Sequence, residues 1–116
     1  MRKLEIGTEK YTQVFATDER GAGNANHIYS VASVKTGEVL QVVCFQNGPI
    51  KESGVNGVMN EDLLAIVIDR LDGFQAGKFA CKENALVVSC LEEALFWLRR
   101  RTTDREVRGV EGTHEV

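Results

Sequence analysis

The sequence predicts an α+β protein, a small N-terminal antiparallel β-sheet followed by a C-terminal antiparallel helical hairpin. Three observations lead there. β-rich runs separated by Gly-containing turns occupy the first part of the chain. A capped apolar repeat at helical spacing opens at Asn60. From Lys82 to about Arg105 there is neither Gly nor Pro, so one long helix fits. At 116 residues the chain suits a single domain, 1–116, with a β-sheet and loop portion 1–59, a helical hairpin 60–108 and a tail 109–116.

Taken in order, Tyr11–Phe15 alternates polar and apolar residues and reads as a strand, and Asp18–Asn26 is rich in turn formers and reads as a flexible loop. His27–Val34 is aromatic and β-branched enough for a second strand, although Ile28 falls out of step with Tyr29 and Val31. Lys35-Thr-Gly-Glu38 supplies a turn, and Val39–Phe45 completes a hairpin and a three-stranded sheet. Gln46–Met59 holds three glycines and the only proline of the chain. Such a loop either wraps tightly as a connector or lets a ligand approach its backbone.

Asn60 is placed to cap the next helix, with Glu61 and Asp62 at the positive end of its dipole. Leu63, Leu64, Val67, Ile68 and Leu71 form its apolar face, and it is expected to end near Gly73. In the second helix Val88, Leu91, Leu95 and Leu98 alternate spacings of three and four, a helix–helix seam that extends back to Asn84. A polar side chain there needs a partner: a neighbouring chain, local backbone or a ligand. Phe96 and Trp97 lie off the seam and point to an oligomer, or to cover by the sheet. The tail has two glycines, cannot easily continue the helix, and has disorder as its default expectation.

With 43% hydrophobic and 27% charged residues the composition is that of a globular, soluble protein. The apolar run Leu63–Ile68 is far short of the roughly 20 residues a membrane span needs. The start, Met1–Ile6, lacks the apolar stretch of a secretory signal, so the cytoplasm is the expected compartment. Cys44, Cys81 and Cys90 are odd in number and have no zinc-ligand spacing; they are expected to be buried thiols, with no metal and no cofactor. A net charge of −3 argues against duplex nucleic acid as a partner. Locally, however, five arginines between Arg99 and Arg108 face only Asp104 and Glu106, a patch suited to a small anion.

Little in the chain suits catalysis. His27 and His114 are in no metal-ligand spacing, adjacent Glu92 and Glu93 point in different directions on a helix, and neither glycine cluster matches a phosphate-binding fingerprint. Arg101, Arg105 and Arg108 follow one another on one helix face, able to grip phosphate or merely to complement the helix dipole. Phe74 and Phe79 in the inter-helix turn can stack on a base, or plug the end of the hairpin.

The segments Phe45-Gln-Asn-Gly-Pro-Ile-Lys51, Gly54-Val-Asn-Gly57, Asn60-Glu-Asp-Leu-Leu64, Asp69-Arg-Leu71, Lys82-Glu-Asn-Ala-Leu86, Leu91-Glu-Glu-Ala94 and Arg108-Gly-Val-Glu-Gly-Thr-His114 together resemble one phage family. It is that of the first-described Thoeris anti-defence sponges, whose helical hairpin is shared with the anti-CBASS cyclic-nucleotide sponges. The resemblance implies a non-enzyme of the host cytoplasm that sequesters a cyclic nucleotide immune signal intact. The implied ligand is a glycocyclic ADP-ribose isomer, with cyclic di- or trinucleotides bound elsewhere in some relatives. It also implies a homo-oligomer, a dimer or hexamer, with pockets between protomers. Onto this chain the family roles fall on Phe74 for base stacking, Asn84 for a hydrogen bond, and Arg101 and Arg108 for the pyrophosphate. Arg105 and His114 complete the ligand-binding candidates, and no catalytic or metal-binding residue is implied.

Overall fold

A computed structural model describes residues 1–116. The chain divides into two compact units, Met1–Val58 and Met59–Val116, each with its own architecture.

The first unit is a four-stranded antiparallel meander in the order β1 (Arg2–Lys3), β2 (Thr12–Ala16), β3 (Ile28–Ser33), β4 (Val39–Cys44). β1 is the strand the sequence did not announce. It pairs Arg2 with Ala16 and Lys3 with Phe15, and two residues are too few to carry an alternation. Val14 faces Val31 across the β2–β3 ladder and Tyr29 faces Val43 across β3–β4, where a bulge lies between Val31 and Ala32. The buried positions of the sheet are small, Ala16, Ser30 and Ala32. β4 is an edge strand on which Val39, Leu40 and Val42 are exposed.

Two loops of this unit are ordered by side chains. Between β2 and β3 the Asp18 carboxylate accepts the His27 amide at 2.9 Å and the Asn26 side-chain amide at 3.1 Å. Arg2 donates to the Asn26 side-chain oxygen at 2.8 Å, tying β1 into the same network. His27 is buried with Nε2 3.0 Å from the Ala22 carbonyl, which makes it part of this scaffold.

The Gly- and Pro-containing loop holds a single helical turn, α1 (Ile50–Ser53), and wraps tightly. Gln46 donates to the carbonyls of Gly48 and Gly54 and accepts the Asn56 amide, while the Asn56 side chain pairs with both backbone groups of Asn47. Phe45 and Val58 form a parallel bridge. The chain passes so close that a Cβ on Gly57 would collide with the carbonyl group of Phe45. These glycines and amides therefore close the loop on itself, the connector of the two readings.

The second unit pairs α2 (Asn60–Gln75) with α3 (Lys82–Val107). The cap of α2 falls one residue earlier than expected. Met59 donates its amide to the Asp62 carboxylate at 2.8 Å, and Asn60 lies inside the first turn. The helix also runs through Gly73, which costs about 1 kcal/mol relative to Ala but breaks no hydrogen bond. On α3 the half-buried positions continue the 3-4 seam in both directions, from Asn84 through Val88, Leu91, Leu95 and Leu98 to Thr102 and Arg105. Neither helix has a fully buried residue, and Ile66, Leu86, Phe96 and Trp97 are exposed. No helix is long and apolar enough to cross a membrane.

Two expectations are corrected. All three cysteines are exposed: Cys44 ends the edge strand, Cys81 caps α3, and Cys90 sits one position off the seam at Leu91. The tail is ordered in turns, with Gly109 and Gly112 at positive φ.

Candidate functional site

Gln75 and Cys81 fix the turn between the helices. The Gln75 side chain donates to the Cys81 carbonyl at 3.0 Å and accepts the Cys81 amide at 2.9 Å. Cys81 in turn caps α3, its Sγ accepting the Asn84 amide at 3.4 Å. The backbone of Asn84 is thus held locally, but its side-chain amide makes no hydrogen bond within the chain. That half-buried amide lines a recess of about 350 Å³ together with Leu71, Phe74 and Phe79. The two phenylalanines meet edge to face, with centroids 6.5 Å apart and planes at 86°. An aromatic wall, an apolar floor and one amide with free donors and acceptors suit a heterocycle with hydrogen-bonding edges.

The other end of α3 carries the arginines, and the structure divides them. Arg105 is turned to the tail: its guanidinium donates to the main-chain oxygens of Glu115 at 2.7 Å, Thr113 at 2.9 Å and Val110 at 3.1 Å. Arg108 pairs with Asp104 at 3.1 Å and donates to a main-chain oxygen of Val116 at 2.9 Å. Both are engaged within the chain, Arg105 through three bonds and Arg108 through two, so of the three guanidinium groups only that of Arg101 is without a partner in the chain. Arg101 makes no hydrogen bond or ion pair and lines a second recess, about 390 Å³, with Trp97, Arg100, Thr103 and Asp104. His114 lies in the turns of the tail that Arg105 holds.

Phe74 and Asn84 therefore share a recess, whereas Arg101 stands about 25 Å from Asn84 along α3 at a rise of roughly 1.5 Å per residue. Sequence reasoning missed Leu71 and Gln75 at the tip and Trp97 and Arg100 beside Arg101. Gln75 carried a usable signal, a polar residue on the apolar face just before a turn. Trp97 carried one too, since an aromatic four residues before Arg101 shares its helix face. No group of three His, Cys, Asp or Glu is arranged to hold a metal ion.

A family model described as Acb2/Tad1, hairpin domain, matches residues 38–103, more than half of the chain. The chain belongs to the Acb2/Tad1 hairpin-domain family. Over 76 residues it is also 62% identical to the Thoeris anti-defense 1 protein of Bacillus phage SBSphiJ7. That stretch is 66% of this chain and 54% of the relative, so the chain spans about half the length of the curated relative it matches. The family resemblance read from the sequence is borne out. The Acb2/Tad1 match takes in Phe74, Asn84 and Arg101 and stops short of Arg105, Arg108 and His114. It thus ends before the two arginines that hold the tail.

Proposed function

We propose that this protein captures a cyclic nucleotide immune signal, a glycocyclic ADP-ribose isomer, and holds it unchanged, so that Thoeris immunity is inhibited in the host cytoplasm. The observation that carries the reading is the unpartnered side-chain amide of Asn84 in a recess walled by Phe74 and Phe79. The amide is not sealed from water, so its donors and acceptors are open for a ligand to take up in place of solvent. Phe74 supplies a stacking face for the base, and Arg101 supplies a free guanidinium for the pyrophosphate. Membership of the Acb2/Tad1 family and the name of the Bacillus phage relative support the same reading.

The separation of the two recesses supports a homo-oligomer, a dimer or a hexamer. One cyclic ADP-ribose isomer does not span about 25 Å of helix, so the tip of one hairpin and the arginine end of another must meet around each ligand. Exposed Phe96 and Trp97, ring centroids 5.3 Å apart, offer apolar surface for that association. Capture without turnover agrees with both recesses, since neither places a histidine or a pair of carboxylates where a reacting bond would lie. Cyclic di- and trinucleotides, the signals of CBASS immunity, are the next ligands to test.

The test is to mix excess protein with glycocyclic ADP-ribose, remove free nucleotide, denature the complex by heat and identify what is released by mass spectrometry. Intact ligand is the expected result. Cleaved ligand would make the protein an enzyme, and no ligand from this or from cyclic oligonucleotides would leave the hairpin an assembly device alone.

A further inference from the structure

Arg70 stands one helical turn before Phe74 on α2, and its guanidinium carbon lies 5.3 Å from the centre of the Phe74 ring. It makes no ion pair or hydrogen bond within the chain, although Asp69 and Asp72 are close in sequence. Its one contact of note is the ring. Arg70 is also absent from the lining of the tip recess, which Leu71, Phe74, Phe79 and Asn84 form. The cation thus stands over the Phe74 ring without itself lining the recess, while Phe79 meets the same ring edge to face.

From this we infer that Arg70 is a positioning residue for the ligand's base. The inference rests on the nucleotide reading of the recess. A planar guanidinium against one face of an aromatic ring is held by the ring quadrupole and restricts the ring's rotation. Together with the Phe79 edge it presents the other face of Phe74 to the recess as a fixed platform, so that guanidinium, ring and base stack in that order. Arg70 also adds positive potential beside a recess meant for an anion. Lysine in its place keeps the charge but loses the flat contact.

The test is calorimetric binding of glycocyclic ADP-ribose to the full chain carrying Arg70→Met, Arg70→Lys, Phe74→Leu and the double change Arg70→Met/Phe74→Leu. NMR of the ligand-free proteins accompanies it. Arg70→Met should weaken binding about two- to fivefold, the range of an exposed cation–π contact, with Arg70→Lys in between. In the Phe74→Leu background the same change should cost nothing measurable, because the effect runs through the ring. In the free protein the Arg70 δ-protons should be shifted upfield by the ring, and the Leu71 methyl signals should move when Arg70 is replaced. An undiminished loss in the Phe74→Leu background would make Arg70 a direct ligand contact and overturn the inference. Unshifted δ-protons would overturn it before any ligand is added. Absence of binding by the unaltered protein would instead bring down the nucleotide reading, and base positioning with it, whatever the NMR showed.

Discussion

Gln75 and Cys81 close the inter-helix turn through a reciprocal pair of hydrogen bonds, one amide side chain serving both the N–H and the C=O of a single residue. Everything at the tip depends on that clasp, because Phe79 lies inside the closed turn and Asn84 is capped by Cys81. Gln75→Ala should lower stability by about 1–3 kcal/mol, two neutral hydrogen bonds at roughly 1 kcal/mol each. It should also raise hydrogen exchange at the Cys81 amide, which a residue-resolved exchange experiment reads directly.

Asn84→Ala removes the one polar group of the tip recess. Binding of glycocyclic ADP-ribose should fall about three- to tenfold or more, the worth of one to two hydrogen bonds, with the thermal midpoint nearly unchanged because no bond within the chain is lost. Wild-type affinity in this variant would remove Asn84 from the site.

Arg101 and Arg105 should part company. Arg105→Ala cuts three hydrogen bonds to the tail and should cost about 1–3 kcal/mol, with rapid proteolysis beyond Gly109. Arg101→Ala should alter stability by less than about 0.5 kcal/mol while weakening nucleotide binding and flattening its salt dependence. Chemical denaturation and calorimetry on the same two variants separate the roles.

Stability should respond to acid through Asp18. Desolvation opposes ionisation of its carboxyl, but the His27 amide, the Asn26 side chain and the amides of Ile28 and Asp18 itself prevail and hold it below the usual carboxylate range. A folded value lower than the unfolded one contributes stability above the unfolded value, about 3.9, and loses it as pH falls toward the folded value. Urea denaturation should therefore show Asp18→Asn less stable than the wild type at neutral pH, with the difference shrinking below about pH 4.

Gly57→Ala tests the closed loop of the first unit. The added methyl meets backbone atoms of Phe45 and Cys44, which have little room to retreat, so a loss of about 1–3 kcal/mol or more is expected from the melting temperature.

Strong periodic signals decided what could be read without coordinates. The 3-4 repeat from Val88 to Leu98 located the seam of α3 and drew attention to Asn84, because helical spacing is local and carries over many turns. β1 escaped because two residues bear no pattern, and its pairing with β2 is a long-range event. The end of α2 was legible only to within a turn, near Gly73, because propensity weighs one residue, whereas the Gln75–Cys81 clasp sets the boundary at Gln75. That Arg105 and Arg108 hold the tail was hidden for a related reason. A row of guanidinium groups on a helix reads the same whether its acceptors come from a ligand or from carbonyls further along the chain.

Arg105 holds the tail through main-chain oxygens, not through side chains. Its grip is indifferent to what residues 110 and 115 carry beyond the backbone, whereas the Thr113 hydroxyl makes bonds of its own, donating to the Val110 carbonyl and accepting the Glu115 amide. What the grip does demand is the two left-handed bends at Gly109 and Gly112. Such a tail can therefore vary in composition elsewhere while two glycines, two arginines and one hydroxyl keep it folded back on its helix, and a sequence comparison that scored only side-chain likeness would overlook that it is the same element.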